Sequence, residues 1–304
     1  YLNYRYFSRY INSNLTTSSP FATSLKEDLF YSAFSFDISS DGMISLEGYT
    51  SINDTMNSYY ASLISAGSGA LECSPVVPKR IASLVKISFD DISAYYENSL
   101  SQLSETEKEK LLDTQQRIEK RLKISVEENF MSWIGKEIVL LQTQPSNLGR
   151  KNEFAAIIHA GNKRDAEKNL YYIGRQIQRN SPIRIKEVEY EGYTISYLSF
   201  PGLLKMLFGK LLEKIEKPYY TVIDRYVIFG NHPQILKNII DDYRAGNTLE
   251  RYNELNTFLG QFDRKSTVMA YFDLPVLFDN LQYLVADESW QQLRKNNPYL
   301  LSFP

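Results

Sequence analysis

Hydrophobic residues form short runs, or alternate with polar residues, along several segments of the chain, as they do in β-strands. The clearest segments are Ile81 to Phe89, Ile138 to Leu141 and Phe154 to His159. Six further segments come in pairs joined by short turns: 29–37 with 43–49, 183–190 with 193–199, and 219–223 with 226–229. These pairs predict three hairpins. Because a hairpin joins antiparallel strands, the sheets are predicted to be mostly antiparallel.

Between the strands, apolar residues recur every three or four positions, which predicts helices packed on the sheets. The predicted helices include 52–64, 104–122, 164–178, 203–215, 233–243, 249–259 and 274–285. Asp90 and Asp273 each follow a strand, and we expect them to cap helices, while Ser104 and Glu107 have capping-box spacing. The stripe Leu204, Leu207, Phe208 and Leu211 is expected to lie against a sheet rather than at a membrane or in a partner's groove. The predicted fold class is α+β.

The order hairpin, helix, connection, strand, helix occurs twice along the chain. Ser83 to Asp90 and Ser266 to Asp273 share Ser, Val, Phe and Asp, and the phenylalanines are offset by 272 − 89 = 183 residues. This spacing favours a degenerate internal repeat; the alternative is convergence on a common strand–Asp–helix arrangement. The corresponding domain prediction is a lead-in segment over 1–20, a first α+β subdomain over 21–217, and a truncated second copy over 218–304.

Charge and composition exclude several classes of protein. The 304 residues include 34 Lys+Arg and 36 Asp+Glu, a net charge of 34 − 36 = −2, so no basic field attracts nucleic acid. A single cysteine, Cys73, excludes an intrachain disulfide. The chain has neither an initiator Met nor a run of ~20 apolar residues. We interpret it as a piece of a longer protein, or as a mature form whose targeting segment has been removed, with any membrane anchor outside this piece.

The candidate catalytic side chains are few and scattered. They are Cys73, His159, His232, Asp90–Asp91, Asp241–Asp242, and the trio Glu187, Glu189 and Glu191 on one predicted strand. Neither histidine has a nucleophile or a metal ligand beside it in the sequence, and helix caps or solvated faces account for the acids. The prediction is therefore no catalytic residue, no cofactor-binding residue and no metal site. Convergence of distant segments would overturn it.

Two groups of structural motifs resemble a family of bacterial envelope proteins classed as a domain of unknown function. One group begins with Leu207-Phe208-Gly209, runs from Tyr219 to Asn231, and continues through Thr248-Leu249 and the helix of Phe258. The other comprises Phe36-Asp37-Ile38, Ile44 to Tyr49, and Pro78 leading into Ser83 to Asp90. The resemblance spans roughly residues 21–290. It implies a location in the cell envelope or periplasm, and it supplies no activity and no site residues.

Function is therefore predicted by elimination. With no reactive constellation visible, the sequence favours a non-catalytic binding or scaffolding module whose partner is an unknown protein or envelope ligand. Neither nucleic acid nor direct membrane contact is expected. The alternative is a hydrolase-like enzyme that uses His159 or His232 in an acidic cleft lined by some of the 23 tyrosines.

Overall fold

The computed structural model describes residues 1–13, 28–39, 44–53, 59–101, 103–143, 153–180, 187–198, 204, 212, 215, 218–281, 290–291 and 294–295. Within these ranges the strands are β1 Leu2–Asn3, β2 Leu29–Ile38, β3 Ile44–Ile52, β4 Ile81–Ser88, β5 Ile134–Thr143, β6 Phe154–Ala160, β7 Glu187–Tyr190, β8 Tyr193–Tyr197, β9 Tyr219–Ile223, β10 Tyr226–Gly230 and β11 Val268–Phe272. The helices are α1 Tyr4–Ser13, α2 Tyr59–Ile64, α3 Ile92–Ser101, α4 Glu105–Leu122, α5 Val126–Asn129, α6 Lys163–Asn180, α7 Pro233–Ala245, α8 Asn253–Leu259 and α9 Leu274–Leu281. The predicted α+β class is confirmed.

The described strands form two antiparallel sheets. The smaller sheet has the order β1-β2-β3, and the larger has the order β11-β4-β5-β6-β10-β9-β8-β7. All three predicted hairpins are present, as β2–β3, β7–β8 and β9–β10. The first differs in extent, because β3 continues to Ile52 and the helix predicted to begin there is described only from Tyr59.

The large sheet is buried on both faces, which explains why its central strands are almost continuously apolar. On one face Ile158 packs with Leu170 and Ile173 of α6. On the other face Ile157 packs with Ile239 of α7 and with Val76. Neighbouring residues of β6 thus enter different cores, since successive side chains of a strand point to opposite faces.

The cap predictions are correct at two of three places. The Ser104–Glu107 capping box is present at the start of α4. Asp273 Oδ1 accepts the backbone N–H of Val276 at 2.9 Å. The prediction for Asp90 is wrong by one residue: Asp91 Oδ1 accepts the N–H groups of Ser93 and Ala94, at 2.7 and 3.2 Å. Asp90 instead donates its backbone N–H to the carbonyl of Ala66, and Asp91 is the residue that caps the helix.

The internal repeat is not confirmed. The β2–β3 hairpin lies in the small sheet, whereas β9–β10 lies inside the large one, so the two copies do not occupy equivalent positions. The matching strands β4 and β11 pair with each other. Strands from both sides of residue 217 share the large sheet, and the division at 217/218 stays a prediction.

Two other predictions fall partly outside the described residues. In the predicted helix 203–215, Leu204 is buried as expected. Leu207, Phe208 and Leu211 lie outside the described residues. The predicted lead-in segment over 1–20 is described only to Ser13, where α1 ends.

Candidate functional site

A row of polar side chains crosses four neighbouring strands of the large sheet. Ser88 of β4 is paired with Glu137 of β5, and His159 of β6 is paired with Tyr226 of β10. The two pairs meet because Ile138, beside Glu137, is aligned with Ile158, beside His159. All four side chains are buried. We call them the polar row; sequence reasoning missed it because sheet order alone brings its members together.

An irregular segment, residues 69–79, covers the polar row, and we call it the strap. The Glu137 carboxylate accepts the backbone N–H groups of Glu72 and Cys73, each at 2.9 Å. The Tyr226 hydroxyl donates to the carbonyl of Glu72 at 2.7 Å. Two members of the row thus fix the backbone of the strap at adjacent residues.

Lys86 ties the strap to the edge of the sheet. Its Nζ donates to the carbonyls of Gly69 and Ser266, at 2.5 and 3.1 Å. Gly69 and Ser266 also exchange both of their backbone hydrogen bonds, at 3.2 and 3.1 Å. The buried ammonium of Lys86 is thus bonded to backbone carbonyls, and the buried carboxylate of Glu137 is bonded to backbone N–H groups. Buried charges need such partners.

Burial decides the protonation of this cluster. It raises the pKa of Glu137 and lowers the pKa of Lys86, although the attraction between the two charges opposes both shifts. Burial also raises the pKa of the Cys73 thiol well above its usual value, and the nearby Glu137 raises it further. Since the thiolate is the reactive form of cysteine, Cys73 lacks the activation that a nucleophile needs.

His159 is the least satisfied member of the row. Neither of its ring nitrogens has a hydrogen-bond partner in the described part of the chain. Its Nε2 lies 3.6 Å from Oε2 of Glu72, in ion-pair range but beyond a hydrogen bond. Burial lowers the pKa of His159, and Glu72 opposes that shift. Gly135 makes room for the imidazole, because a Cβ there would lie 2.4 Å from Nδ1.

Beside the strap lies an apolar groove of about 640 Å³. One wall is Ala70 and Leu71 of the strap, and the other includes Phe258 and Phe262 at the end of α8. Its floor is β11, from Val268 to Tyr271. Lys86 and Glu137 therefore hold this wall in place, because they bond to Gly69 and Glu72, the residues on either side of Ala70 and Leu71.

The outer edge of β11 is open at this groove. The Thr267 carbonyl accepts the N–H of Ser88, and the N–H of Asp273 donates to Ala82, so the odd-numbered residues of β11 bond to β4. Because antiparallel strands alternate their bonding direction, Val268, Ala270 and Phe272 point their N–H and C=O groups outward. Among the described strands none pairs with that edge.

A smaller cavity of about 270 Å³ lies between α6 and the β7–β8 hairpin, and Tyr171, Tyr197 and Tyr220 line it. Among the described residues that line it, Glu187 is the one carboxylate and Arg175 the one cation. The expectation that the three glutamates share a strand face is wrong, because the strand ends at Tyr190. Glu189 is bonded to Thr194, and Glu191 occupies the turn with a φ of 51° and pairs with Arg244. The described residues of this cavity therefore do not provide the acid pair that glycoside hydrolysis uses.

The remaining candidates have structural roles. His232 caps α7, its Nδ1 accepting the N–H of Gln234 at 3.1 Å. Asp241 accepts the hydroxyl of Tyr190 at 3.0 Å. Asp242 lies near the C-terminal end of α7, and burial raises its pKa. Within the described ranges, no three His, Cys, Asp or Glu side chains come close enough together to hold a metal ion.

Comparison with known protein families supports the resemblance found in the sequence. A family model described as a protein of unknown function, DUF3352, matches residues 98–303. Neither a curated protein nor a solved structure matches the chain. Among the described helices, none has the length and apolar character needed to cross a membrane. The match confirms the predicted resemblance to an uncharacterised domain family from residue 98 onward, and the chain belongs to the DUF3352 family.

Proposed function

We propose that this chain is a non-catalytic binding module of the bacterial cell envelope, and that it binds an extended segment of a partner protein along β11. The envelope location rests on the family resemblance carried by the hairpin and cap motifs. The binding role rests on one observation, the open outer edge of β11 at the floor of an apolar groove.

The chemistry of the edge selects a polypeptide as the partner. Outward N–H and C=O groups at Val268, Ala270 and Phe272 form a regular ladder, which another extended backbone satisfies completely. The chain already uses this edge once, since Gly69 pairs with Ser266 at its near end. A partner strand would continue the pairing that the strap begins.

The groove walls determine which side chains the partner presents. Leu71, Phe258 and Phe262 line the groove with apolar surface, and Phe262 is 50% exposed. A segment with apolar residues at alternate positions would place them against these walls, because successive side chains of a strand point to opposite sides. The charged rim residues Asp263 and Arg264 carry opposite signs and so favour neither an acidic nor a basic segment.

The hydrolase alternative has weaker support. The polar row and the strap residue Cys73 together contain acid, imidazole, hydroxyl and thiol groups, yet Glu137 and Tyr226 are committed to the strap backbone, as is the neighbouring Lys86. Among its described lining residues, the tyrosine-lined cavity has Glu187 as its single acid. A general acid–base pair needs two groups with different protonation facing the same reacting atom, and the described residues of neither place supply them.

Substitution of Ala270 tests the binding site. In Ala270→Pro the outward N–H is lost while the bonds to β4 remain, because proline is tolerated at a strand edge. Random ten-residue peptides displayed on phage would be selected against the wild-type chain, and their affinities measured on the variants. We expect enriched peptides with alternating apolar residues, at least a tenfold loss in Ala270→Pro, and little loss in the matched control Ala270→Ser.

Equal affinity for Ala270→Pro and wild type, or no enriched peptide at all, would contradict strand addition. Fractionation of bacterial cells that make the full-length protein tests the location separately. Recovery in the envelope fraction is the expected outcome, and recovery in the cytoplasmic fraction would contradict it.

A further inference from the structure

The distal part of the β2–β3 hairpin is amphipathic to an unusual degree. Its register pairs Phe34 with Gly48, Phe36 with Leu46, and Ile38 with Ile44 on one side of the sheet. The other side carries the pairs Ser35 with Glu47 and Asp37 with Ser45, as well as Tyr49 opposite Ala33. We call Phe34, Phe36, Ile38, Ile44 and Leu46 the apolar face.

The apolar face is exposed rather than packed on the core. Its five side chains are exposed by 45, 61, 58, 52 and 64%, in sequence order. An antiparallel sheet with one apolar and one polar face normally buries the apolar one. A contiguous apolar patch of this kind is characteristic of a surface that binds something.

Side-chain hydrogen bonds join the two strands at the base of the hairpin to each other and to α1. Ser32 Oγ is hydrogen-bonded to Tyr4 Oη at 2.8 Å and to Thr50 Oγ1 at 2.6 Å. A cavity of about 500 Å³ separates this base from Leu63 of α2 and from Val268. The apolar face begins just beyond the Ser32–Thr50 pair and continues toward the tip.

We propose that the apolar face is a self-association surface, through which two copies of this chain pack their hairpins face to face. The inference is independent of strand addition at β11, because it uses different residues and a different partner.

The size of the face supports a second copy as the occupant. An aromatic side chain offers roughly 150–250 Å² and an aliphatic one somewhat less, so the five half-exposed side chains present at most on the order of 500 Å². Two such faces would bury about 1,000 Å² in total, which is where specific interfaces begin. A face of this size thus needs a matching apolar face, and another copy of the hairpin supplies one.

The distribution of charge also favours a second copy. Asp37 and Glu47 lie on the polar side of the hairpin, so they would point away from each other when two apolar faces meet. Residues 29–53 contain no Lys or Arg. An anionic lipid surface is therefore a poor occupant, since interfacial segments bind such surfaces with basic residues.

Local shape is compatible with face-to-face packing. Gly48 has no side chain opposite Phe34, which leaves a depression in the apolar face. A Cβ at Gly48 would lie 1.9 Å from the carbonyl oxygen of Ala33, so the backbone requires glycine there. In aligned sheet packing, the side chains of one sheet fill such depressions in the other, with the two sheets about 10 Å apart.

Sedimentation velocity of the full chain between about 1 and 200 µM tests the proposal. We expect a concentration-dependent dimer in the wild type and at least a tenfold weaker dimer in Phe36→Ser/Leu46→Ser. The matched control is Ser35→Ala/Ser45→Ala on the opposite face, which should dimerise as the wild type does. Thermal unfolding of each variant verifies that the fold is retained.

A cross-linking measurement guards against an indirect effect of the serine variant. Mild oxidation of Leu46→Cys should give a covalent dimer much faster than oxidation of Ser45→Cys, because only position 46 lies on the apolar face. The native Cys73 is buried and does not compete.

A wild-type chain that stays monomeric throughout, or a dimer of unchanged affinity in Phe36→Ser/Leu46→Ser, would overturn the proposal. So would equal cross-linking at positions 45 and 46. Flotation of a monomeric wild type with neutral phosphatidylcholine vesicles, lost in the serine variant, would identify a lipid occupant instead and would likewise overturn it.

Discussion

The interaction of Glu137 with the strap makes the strongest prediction about stability. In Glu137→Ala, the N–H groups of Glu72 and Cys73 lose the carboxylate that accepts them at 2.9 Å. The same change leaves the buried ammonium of Lys86 without its neighbouring negative charge. Hydrogen bonds to a charged group contribute about 1.5–3 kcal/mol each. Removing one member of a buried ion pair costs about 3–5 kcal/mol, which is an upper limit here because Lys86 and Glu137 interact at a longer range than an ion pair.

These contributions overlap, so we expect Glu137→Ala to lower the free energy of unfolding by about 3–5 kcal/mol in total. Glu137→Gln keeps one acceptor oxygen while removing the charge, and it should cost about 1–3 kcal/mol. Urea unfolding at pH 7, followed by circular dichroism and tryptophan fluorescence, provides the measurement. Coincident transitions with both probes would justify two-state analysis.

Glu167→Ala is the matched control. Glu167 faces solvent on α6, where it makes a surface pair with Lys163 at 3.8 Å. Exposed pairs of this kind contribute about 0–1 kcal/mol, so the control should unfold close to the wild type. If Glu137→Ala were as stable as Glu167→Ala, Glu137 would not stabilise the strap and the structural role of the polar row would be refuted.

Four further substitutions test single features. Burial lowers the pKa of His159 in the folded chain, so the unfolded chain takes up a proton first as the pH falls below about 6.5. The free energy of unfolding should therefore decline below that pH. His159→Phe should flatten this decline, as measured by urea unfolding. Burial raises the pKa of Tyr226 to about 12, whereas an unfolded tyrosine loses its proton near pH 10. The free energy of unfolding should therefore fall above about pH 10, and Tyr226→Phe should reduce that loss. Gly135→Ala places a Cβ 2.4 Å from the imidazole and should cost about 1–3 kcal/mol, measured by urea unfolding. Asp273→Ala should cost about 0.5–2 kcal/mol by the same assay, and more than Asp90→Ala, because Asp273 is a helix cap and Asp90 is not. Unchanged pH profiles in the first two variants, or unchanged stability in the last two, would contradict these assignments.

The hairpins were predictable because each is encoded locally. Glu191 and Gly192 both adopt positive φ, at 51° and 85°, in a two-residue turn between alternating segments. Boundaries were harder, since nothing in the sequence distinguishes Asp90 from Asp91 as the cap. The choice depends on the hydrogen bond from Asp90 to Ala66, a contact between segments that local patterns do not show.

The polar row was not predictable as a unit, although its members left individual signals. Glu137 lies within the mostly buried strand β5, and His159 lies near the end of the buried strand β6. Polar residues inside doubly buried strands need partners, so each was a candidate for a buried interaction. Their assembly depends on the strand order β4-β5-β6-β10, which places residues 137 and 159 beside each other, and no single-sequence pattern specifies that order.

The strap connects the stability of this cluster to the groove. Ala70 and Leu71 form a groove wall, and they lie between Gly69, bonded to Lys86, and Glu72, bonded to Glu137. A wall fixed at both ends loses little conformational freedom when a ligand binds, which favours affinity. Glu137→Gln should therefore weaken peptide binding even though Glu137 does not line the groove, whereas Ala270→Pro should weaken it without loosening the strap. Glu137 and Ala270 would then affect the same binding event in different ways. Glu137 keeps the wall of the groove ordered, and Ala270 supplies a backbone N–H that bonds to the peptide.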